Sequence, residues 1–213
     1  MRARTVITRS GARIRGKFPS AKTGRSVHWE SLLERDACIL LEYSAGIRTY
    51  QEQPRKVQVS CAGMADHVQF PDFEIVMADG EIGYVEIKSS RQLILPEVKD
   101  RLMALQRVLE HEGFFYKILT EAEIRREPRL SNLSLLFSYR SSRISQIGAD
   151  LFNRLGSQFR SASLHELTKK LGSVSEVMAL LADQYLSFDL DKKLTPNTIL
   201  TIATGGSHEN LLF

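Results

Sequence analysis

The feature that most constrains the fold is a strand–turn–strand segment in the middle of the chain. Phe73–Met77 is an apolar run of strand length, Asp79-Gly80 is a hairpin turn signal, and residues 83–88 form the partner strand. Apolar residues then recur at helical spacing over residues 95–112, and residues 114–119 are a further strand. A helix that connects two strands of one sheet makes them parallel. The order therefore predicts an α/β fold with a mixed sheet flanked by helices.

In the segments on either side of this core, apolar residues recur at other spacings. Apolar residues at helical spacing predict a helix over residues 26–45. Residues 47–50 and 57–61 are short strand candidates, and residues 121–139 are helical in pattern. Together with the central segment, these elements predict one domain.

The pattern changes after residue 140. Ser163 and Ser173 are each followed three residues later by glutamate, which is the capping-box signature of a helix start. Residues 186–190 and 199–202 have strand character. Two helices followed by a small hairpin predict a winged-helix-like domain. The predicted boundaries are an arm at 1–25, the α/β domain at 26–140, the winged-helix-like domain at 141–204 and a tail at 205–213.

Basic residues are concentrated at the N-terminus. Residues 1–29 contain eight Lys or Arg and no Asp or Glu, whereas residues 30–140 contain 14 basic and 18 acidic residues. Residues 141–213 contain seven of each. The arm thus carries the basic excess, which indicates a polyphosphate ligand such as double-stranded DNA, with a solvated tail or a transit peptide as alternatives. The candidate DNA-binding residues are Arg13, Arg15, Lys17, Lys22 and Arg25.

Gln53-Pro54 lies on a predicted loop before a strand. Gln53 is a further candidate for DNA contact, and holding an active-site ligand or shaping a turn are equally open to it. The chain lacks the run of roughly 18 apolar residues that a membrane span needs, and no apolar segment of a signal peptide follows the basic start. Cys38 and Cys61 form no disulfide or zinc pattern. We therefore expect a cytoplasmic protein without a membrane partner.

Acidic and basic residues around the central hairpin indicate a catalytic site. Pro71-Asp72 precedes the first strand, and Glu86 follows Asp72 by 14 residues within Glu86-Ile87-Lys88. Alternation along the strand places Glu86 and Lys88 on one face, and pairing of the strands brings Asp72 close to Glu86. Two carboxylates beside a cation suit a hard divalent metal, Mg²⁺ with Mn²⁺ as a substitute. Lys88 would orient the attacking water or offset charge in the transition state.

Glu34 adds a third carboxylate from the first predicted helix. It would approach the metal from the side opposite the strands, as a direct or water-mediated ligand. An E-x-K pair alone is most often a solvated ion pair. The ordered set of Glu34, Asp72, Glu86 and Lys88 instead indicates a PD-(D/E)xK nuclease with a restriction-endonuclease-like core.

Several motifs resemble the N-terminal domain of the TnsA family, the endonuclease subunits of heteromeric cut-and-paste DNA transposons. The resemblance covers about residues 10–140 and is weaker beyond them. It is carried by RGKFPSAK at 15–22, SVHWESLLERD at 26–36, EQP at 52–54, FPDF at 70–73, VEIK at 85–88 and LTEAEIR at 119–125.

The resemblance implies that Glu34, Asp72 and Lys88 are catalytic and that Glu86 is a neighbour of the metal site, a position where some family members carry Gln. It also implies that different subunits cut the two strands at the transposon ends. This subunit would cut the 5′ ends, a DDE transposase would cut and join the 3′ ends, and an AAA+ ATPase regulator would contact the C-terminal domain. The expected location is the prokaryotic cytoplasm, at the nucleoid during activity.

Two other classes of function fit the same residues. One is a stand-alone restriction-type, resolvase or repair nuclease on the same catalytic scaffold. The other is a non-catalytic DNA-binding assembly factor that keeps the fold. The intact set of three carboxylates and Lys88 favours a nuclease, because a degenerate site would be free to lose one of them.

Overall fold

Residues 14–60, 67–140, 150 and 160–203 are described by the computed structural model of the chain. They divide into two units, one ending at Arg125 and the other starting at Arg126. Arg13, Cys61 and the predicted tail lie outside the described residues.

The first unit combines strands and helices as predicted, but in a partly different order. Its elements are β1 (Gly16–Ser20), β2 (Arg25–Trp29), α1 (Leu32–Tyr43), β3 (Ile47–Glu52), β4 (Val57–Val59), β5 (His67–Gln69), β6 (Phe73–Met77), β7 (Ile82–Ile87), α2 (Ser90–Leu93), α3 (Pro96–His111), β8 (Phe115–Leu119) and α4 (Glu121–Ile124).

A four-stranded mixed sheet with the order β3-β6-β7-β8 is the centre of this unit. β6 pairs antiparallel with β3 and with β7, while β7 and β8 are parallel. The turn between β6 and β7 contains Gly80 at a φ of +95°, a conformation that glycine adopts without steric cost. Antiparallel pairing of β6 with β7 places Phe73 opposite Val85. The predicted mixed sheet and its crossover helix are confirmed.

The crossover helix α3 covers one part of this unit with a narrow apolar stripe. Leu102, Leu105 and Leu109 are buried at a spacing of three and four residues. Leu105 and Leu109 belong to a core cluster with Tyr84 of β7 and the valines of β4. β7 lies between β6 and β8 in the sheet, and all of its residues except Ile82 are buried.

The prediction of one helix over residues 26–45 is wrong at its start. Arg25–Trp29 is strand β2, paired with β1, and the helix begins only after the N-cap Ser31, whose hydroxyl accepts a hydrogen bond from the Glu34 amide. Trp29 fits the spacing of a helical stripe, but its ring lies against Gly16. A Cβ at Gly16 would come within 2.2 Å of that ring, so only glycine permits this approach.

The β1–β2 hairpin is attached to α1 by the buried carboxylate of Glu42. That carboxylate accepts hydrogen bonds from the Ser20 hydroxyl at 2.6 Å, the Tyr50 hydroxyl at 2.8 Å and the backbone amides of Ala21 and Lys22 at 2.9 and 3.2 Å. The Lys22 ammonium donates to carbonyl oxygens around the C-terminal end of α1, including that of Leu41 at 2.9 Å. A cation there compensates the carbonyls that the helix leaves unpaired.

A second buried carboxylate ties the same hairpin to the central sheet. Glu52, at the end of β3, is 1% exposed and accepts two hydrogen bonds from the Arg25 guanidinium, at 2.9 and 2.6 Å. The His28 amide also donates to it at 3.2 Å. The Arg25 guanidinium lowers the pKa of Glu52 against the opposing effect of burial, which is the largest influence on that carboxyl.

The predicted helix over residues 121–139 is two helices. α4 ends at Ile124, and α5 (Arg129–Tyr139) begins after Pro128, whose ring and missing N–H cannot continue a helix. The division into units falls between them, so α5 belongs to the second unit. The expected boundary after residue 140 is therefore about 15 residues later than the one that the structure shows.

The second unit contains α5, β9 (Ser161–Ser163), α6 (Leu164–Leu171), α7 (Val174–Ala182), β10 (Leu186–Ser187) and β11 (Ile199–Ile202). The predicted capping box of Ser163 with Glu166 is present, whereas Ser173 caps α7 through the amide of Ser175 instead. β11 pairs antiparallel with β10 and with β9.

Helix α5 is bound to the β10–β11 connection within this unit. The Asn132 side chain donates to the carbonyl oxygens of Leu190 and Lys192, both at 2.9 Å. Arg129 pairs with Asp191 at 2.8 Å. These contacts explain why α5 packs with the C-terminal elements.

Within the described parts of the chain, no helix has both the length and the apolar character to cross a membrane.

The Glu42 network generates a stability prediction. Glu42→Ala removes the shared acceptor of four donors, and we expect it to lower the free energy of unfolding by about 3 kcal/mol. The measurement is urea denaturation followed by circular dichroism. Glu81→Ala, at an exposed turn position, is the control and should change the unfolding free energy by less than about 0.5 kcal/mol. Equal stability of the two variants would show that the hairpin does not depend on Glu42.

Candidate active site

The sheet brings three of the predicted residues into direct contact. Asp72 immediately precedes β6, and its Oδ2 atom accepts a hydrogen bond from the Ile87 amide at 2.8 Å. The Lys88 ammonium lies 2.6 Å from Glu86 Oε1 and 3.4 Å from Asp72 Oδ2. The Asp72 amide in turn donates to Glu86 Oε2 at 3.4 Å. The ends of β6 and β7 thus hold two carboxylates on either side of one ammonium group.

Glu34 reaches the same place from α1. Its carboxylate is held by the Glu30 amide at 2.8 Å and by the Ser31 hydroxyl at 3.0 Å, so the N-terminal turn of the helix fixes its orientation. Glu34 lines an open cleft of about 600 Å³ together with Asp72 and Lys88. The structure therefore groups all four predicted catalytic residues around the N-terminal end of α1 and the ends of β6 and β7.

The electrostatics of the site follow from an excess of carboxylates. Burial and the nearby Asp72 charge raise the pKa of Glu34 to about 7. The same two causes raise the pKa of Glu86 to about 8, although Lys88 opposes them. Burial by itself would lower the pKa of Lys88, but the charges of Asp72 and Glu86 outweigh it and raise that pKa. One ammonium group does not compensate three carboxylates.

The ligand atoms of this site are suited to a divalent metal, but the side chains that carry them do not converge on one point. Glu34, Asp72 and Glu86 offer only oxygen atoms, which are the ligands of Mg²⁺ and Mn²⁺. Asp72 Oδ1 accepts no hydrogen bond from the described residues. Within the described ranges, however, no three His, Cys, Asp or Glu side chains already converge as a metal site. Lys88, which bridges Asp72 and Glu86, is the cation that these carboxylates share here.

The candidate DNA-binding residues differ in their surroundings. Lys17 is exposed on β1, and Arg15 is half-buried just before that strand. Lys22 and Arg25 bind the end of α1 and Glu52, which gives both side chains structural partners that their place in a basic arm did not indicate. Their predicted contact with DNA stays a prediction, and Lys17 and Arg25 are the exposed residues of the described four.

Gln53 is a buried residue behind the site. It is 6% exposed, and its backbone has a φ of +42°, in the left-handed region that costs a non-glycine residue energy. Its backbone N–H donates to the Asp72 carbonyl oxygen at 2.9 Å. Of the three roles considered for Gln53, positioning an active-site ligand matches this contact best.

Sequence reasoning did not identify several residues of the cleft. Arg125 and Gln92 line it, as does Glu30, which lies four residues before Glu34 and just ahead of the N-cap of α1. Tyr116 on β8 is outside this lining, but its buried hydroxyl has no hydrogen-bond partner in the described residues, and burial and the charge of Glu86 raise its pKa. The spacing of Glu30 to Glu34 was a usable signal, whereas the position of Tyr116 depends on the parallel pairing of β7 with β8.

A scan against protein-family models and a search of curated proteins find no match to this chain. The function has to be inferred from the chemistry of the cleft and from the sequence motifs.

The raised carboxyl pKa values make stability depend on pH. Because the pKa of Glu34 is about 7 and that of Glu86 about 8, against 4.5 for a free glutamate, the folded chain binds more protons than the unfolded chain between these values. This stabilisation is complete below about pH 4.5 and is lost as the pH rises through 8. The free energy of unfolding, measured in EDTA, should therefore fall between pH 5 and pH 8.5.

Glu86→Gln tests the assignment of this pH dependence. The variant cannot titrate at residue 86, so its unfolding free energy should fall less steeply over the same range. Glu110→Gln, at an exposed position on α3, is the control and should follow the wild type. A Glu86→Gln slope equal to that of the wild type would contradict the assignment.

Proposed function

We propose that this chain is a Mg²⁺-dependent DNA endonuclease with a PD-(D/E)xK, restriction-endonuclease-like core. The observation that carries the proposal is the grouping of Asp72, Glu86 and Lys88 at the ends of two antiparallel strands, beside Glu34 in an open cleft. Three carboxylates and one lysine on these elements form the set that hydrolysis of a phosphodiester needs.

Each residue has a role that its contacts support. Glu34, Asp72 and Glu86 would hold Mg²⁺, which supplies neutralisation of phosphate charge and a lowered pKa of water when bound. The Ile87 amide keeps the Asp72 carboxylate in place, and the first turn of α1 does the same for Glu34. Lys88, protonated at neutral pH, would orient the attacking water or stabilise the charge that develops on the phosphate.

DNA is the proposed substrate because the site is open and a basic arm precedes it. Most of the residues that line the cleft are charged or polar, with Ile14, Leu32 and Ile87 as the apolar ones, and this lining suits a polar polymer more than an apolar small molecule. Residues 1–29 contain eight basic and no acidic residues, and those other than Lys22 and Arg25 would bind the phosphate backbone without reading sequence.

We further propose that the chain acts as a TnsA-like subunit at transposon ends. The motif resemblance supports this, with cleavage of the 5′ strands here and of the 3′ strands by a DDE transposase. The net charge of −4 over residues 30–140 supports a need for a partner that holds the DNA. Action at the nucleoid of a prokaryotic cytoplasm would follow from this role.

The second unit is the proposed docking domain for an AAA+ regulator. Its order of strand, two helices and hairpin is compatible with a winged-helix-like domain. Residues 141–213 have equal numbers of basic and acidic residues, and domains of this type that read DNA are usually basic. A protein partner therefore fits this unit better than DNA does.

The metal and the catalytic residues can be tested together. Mg²⁺ or Mn²⁺ should support strand cleavage, whereas Ca²⁺ and EDTA should not. Asp72→Asn and Lys88→Ala should each reduce the cleavage rate about a hundredfold or more, and Glu86→Gln should reduce it less. Asp79→Asn, in the exposed turn, is the control and should keep the wild-type rate. Cleavage in EDTA, or by Asp72→Asn at the wild-type rate, would refute the nuclease proposal.

The partnership can be tested in a reconstituted reaction. We expect this chain alone to cut transposon-end DNA poorly and to become efficient with the transposase present, because the partner raises the local concentration of the scissile phosphate. The assay adds or omits each protein and maps the cut strand. Efficient, site-specific cutting by this chain alone would favour the stand-alone restriction-type nuclease instead.

A further inference from the structure

A second cation lines the candidate active cleft besides Lys88. Arg125 follows the last residue of α4, and its side chain lines the cleft together with Glu34 and Asp72. That side chain is 45% exposed, so solvent and ligands can reach it.

The Arg125 guanidinium is held by one edge and open at the other. Its Nε donates to Asp36 Oδ2 at 2.8 Å. Its terminal nitrogens, Nη1 and Nη2, donate to no side chain or backbone atom in the described parts of the chain. Two parallel N–H donors on a fixed guanidinium match the two oxygens of a phosphate group.

Asp36 is built to hold this arginine in place. The residue is 4% exposed and lies two positions after Glu34 on α1. Its Oδ1 atom accepts hydrogen bonds from Arg35 Nε at 3.0 Å and Arg35 Nη2 at 2.7 Å, and its Oδ2 atom serves Arg125. Both oxygens are therefore engaged, and a carboxylate fixed in this way restricts where the Arg125 side chain can go.

The other cation of the described cleft is already engaged. Lys88 lies 2.6 Å from Glu86 and 3.4 Å from Asp72, so its charge is directed at carboxylates. An anionic polymer that enters the cleft meets Glu30, Glu34 and Asp72 in the lining. Of the two cationic side chains that line the described cleft, Arg125 is the one whose terminal donors are left for an anion.

We propose that Arg125 binds a backbone phosphate of DNA next to the scissile bond and that Asp36 is its positioning residue. This rests on the proposed nuclease function for the identity of the polymer. Lys88 and Arg125 then have different roles in the cleft: the lysine acts beside the carboxylates, and the arginine holds the DNA strand that enters the cleft.

DNA binding as a function of salt tests the proposal. The full chain is titrated with a fluorescent duplex of arbitrary sequence in Ca²⁺, and anisotropy is followed from 50 to 200 mM NaCl. Loss of one phosphate contact in Arg125→Ala should lower the log–log salt slope by about 0.9 and weaken binding about three- to tenfold. Arg125→Lys, which keeps the charge and can still pair with Asp36, should retain most of the slope while binding more weakly than the wild type.

Arg107→Ala is the matched control, because Arg107 is an exposed arginine on α3 that does not line the cleft. It should keep the wild-type slope, and thermal melting checks that each variant is folded. Arg125→Ala with an unchanged slope and a lower melting temperature would overturn the proposal and leave Arg125 as a tie between α1 and α4. An equal loss of slope in Arg107→Ala would also overturn it, since the effect would then be one of overall charge.

The outcome is separable from that of the nuclease proposal. A wild-type protein that binds DNA through Arg125 but does not cut it in Mg²⁺ or Mn²⁺ would refute the nuclease function and leave the phosphate contact standing. A wild-type protein that cuts DNA, with Arg125→Ala unchanged in salt slope, would refute the contact alone. No binding of DNA by the wild type under any of these conditions would overturn the Arg125 proposal.

Discussion

The antiparallel register of β6 against β7 is the constraint on which the candidate site depends. Phe73 lies opposite Val85, so Asp72 and Glu86 meet at the end of the pair and the Ile87 amide reaches the Asp72 carboxylate. A slip of one residue would turn Glu86 to the other face of the sheet. Its charged side chain would then occupy a position where an apolar neighbour is now buried. β7 is held on both edges, by β6 and β8, and this double pairing makes such a slip costly.

The buried carboxylates of the first unit differ in how fully hydrogen bonds and ion pairs compensate them, and Glu42 and Glu86 show the contrast. Glu42 receives four hydrogen bonds, from two hydroxyls and two backbone amides, and it anchors the β1–β2 hairpin. Glu86 is 5% exposed but has only the Lys88 ammonium and a 3.4 Å contact with the Asp72 amide. The fully hydrogen-bonded carboxylate of Glu42 holds two elements together, whereas the incompletely paired carboxyl of Glu86 has a pKa that rises to about 8. This difference distinguishes the candidate site from the rest of the core.

Local signals were sufficient to predict the central sheet and the group of Asp72, Glu86 and Lys88, because strand alternation and the Asp79-Gly80 turn act over a few residues. The β1–β2 hairpin was missed for a physical reason. The spacing of Trp29 is compatible with a helical stripe as well as with a strand. Its partner Gly16 lies in a segment whose basic charge favoured the interpretation as an arm. Arg125 was missed because its position depends on the packing of α4 near Asp36, 89 residues earlier in the chain.

The charges around the cleft explain why the site would need both a metal and a second basic residue. Glu30, Glu34, Asp72 and Glu86 bring four carboxyl groups, against Lys88 and Arg125 as cations. In the absence of a further cation, protons compensate part of this excess, which is what the raised pKa values of Glu34 and Glu86 express. Binding of a divalent cation would release those protons and balance the carboxylates. A phosphate entering afterwards adds negative charge again, and Arg125, held by Asp36 outside the carboxylate group, is placed to meet it.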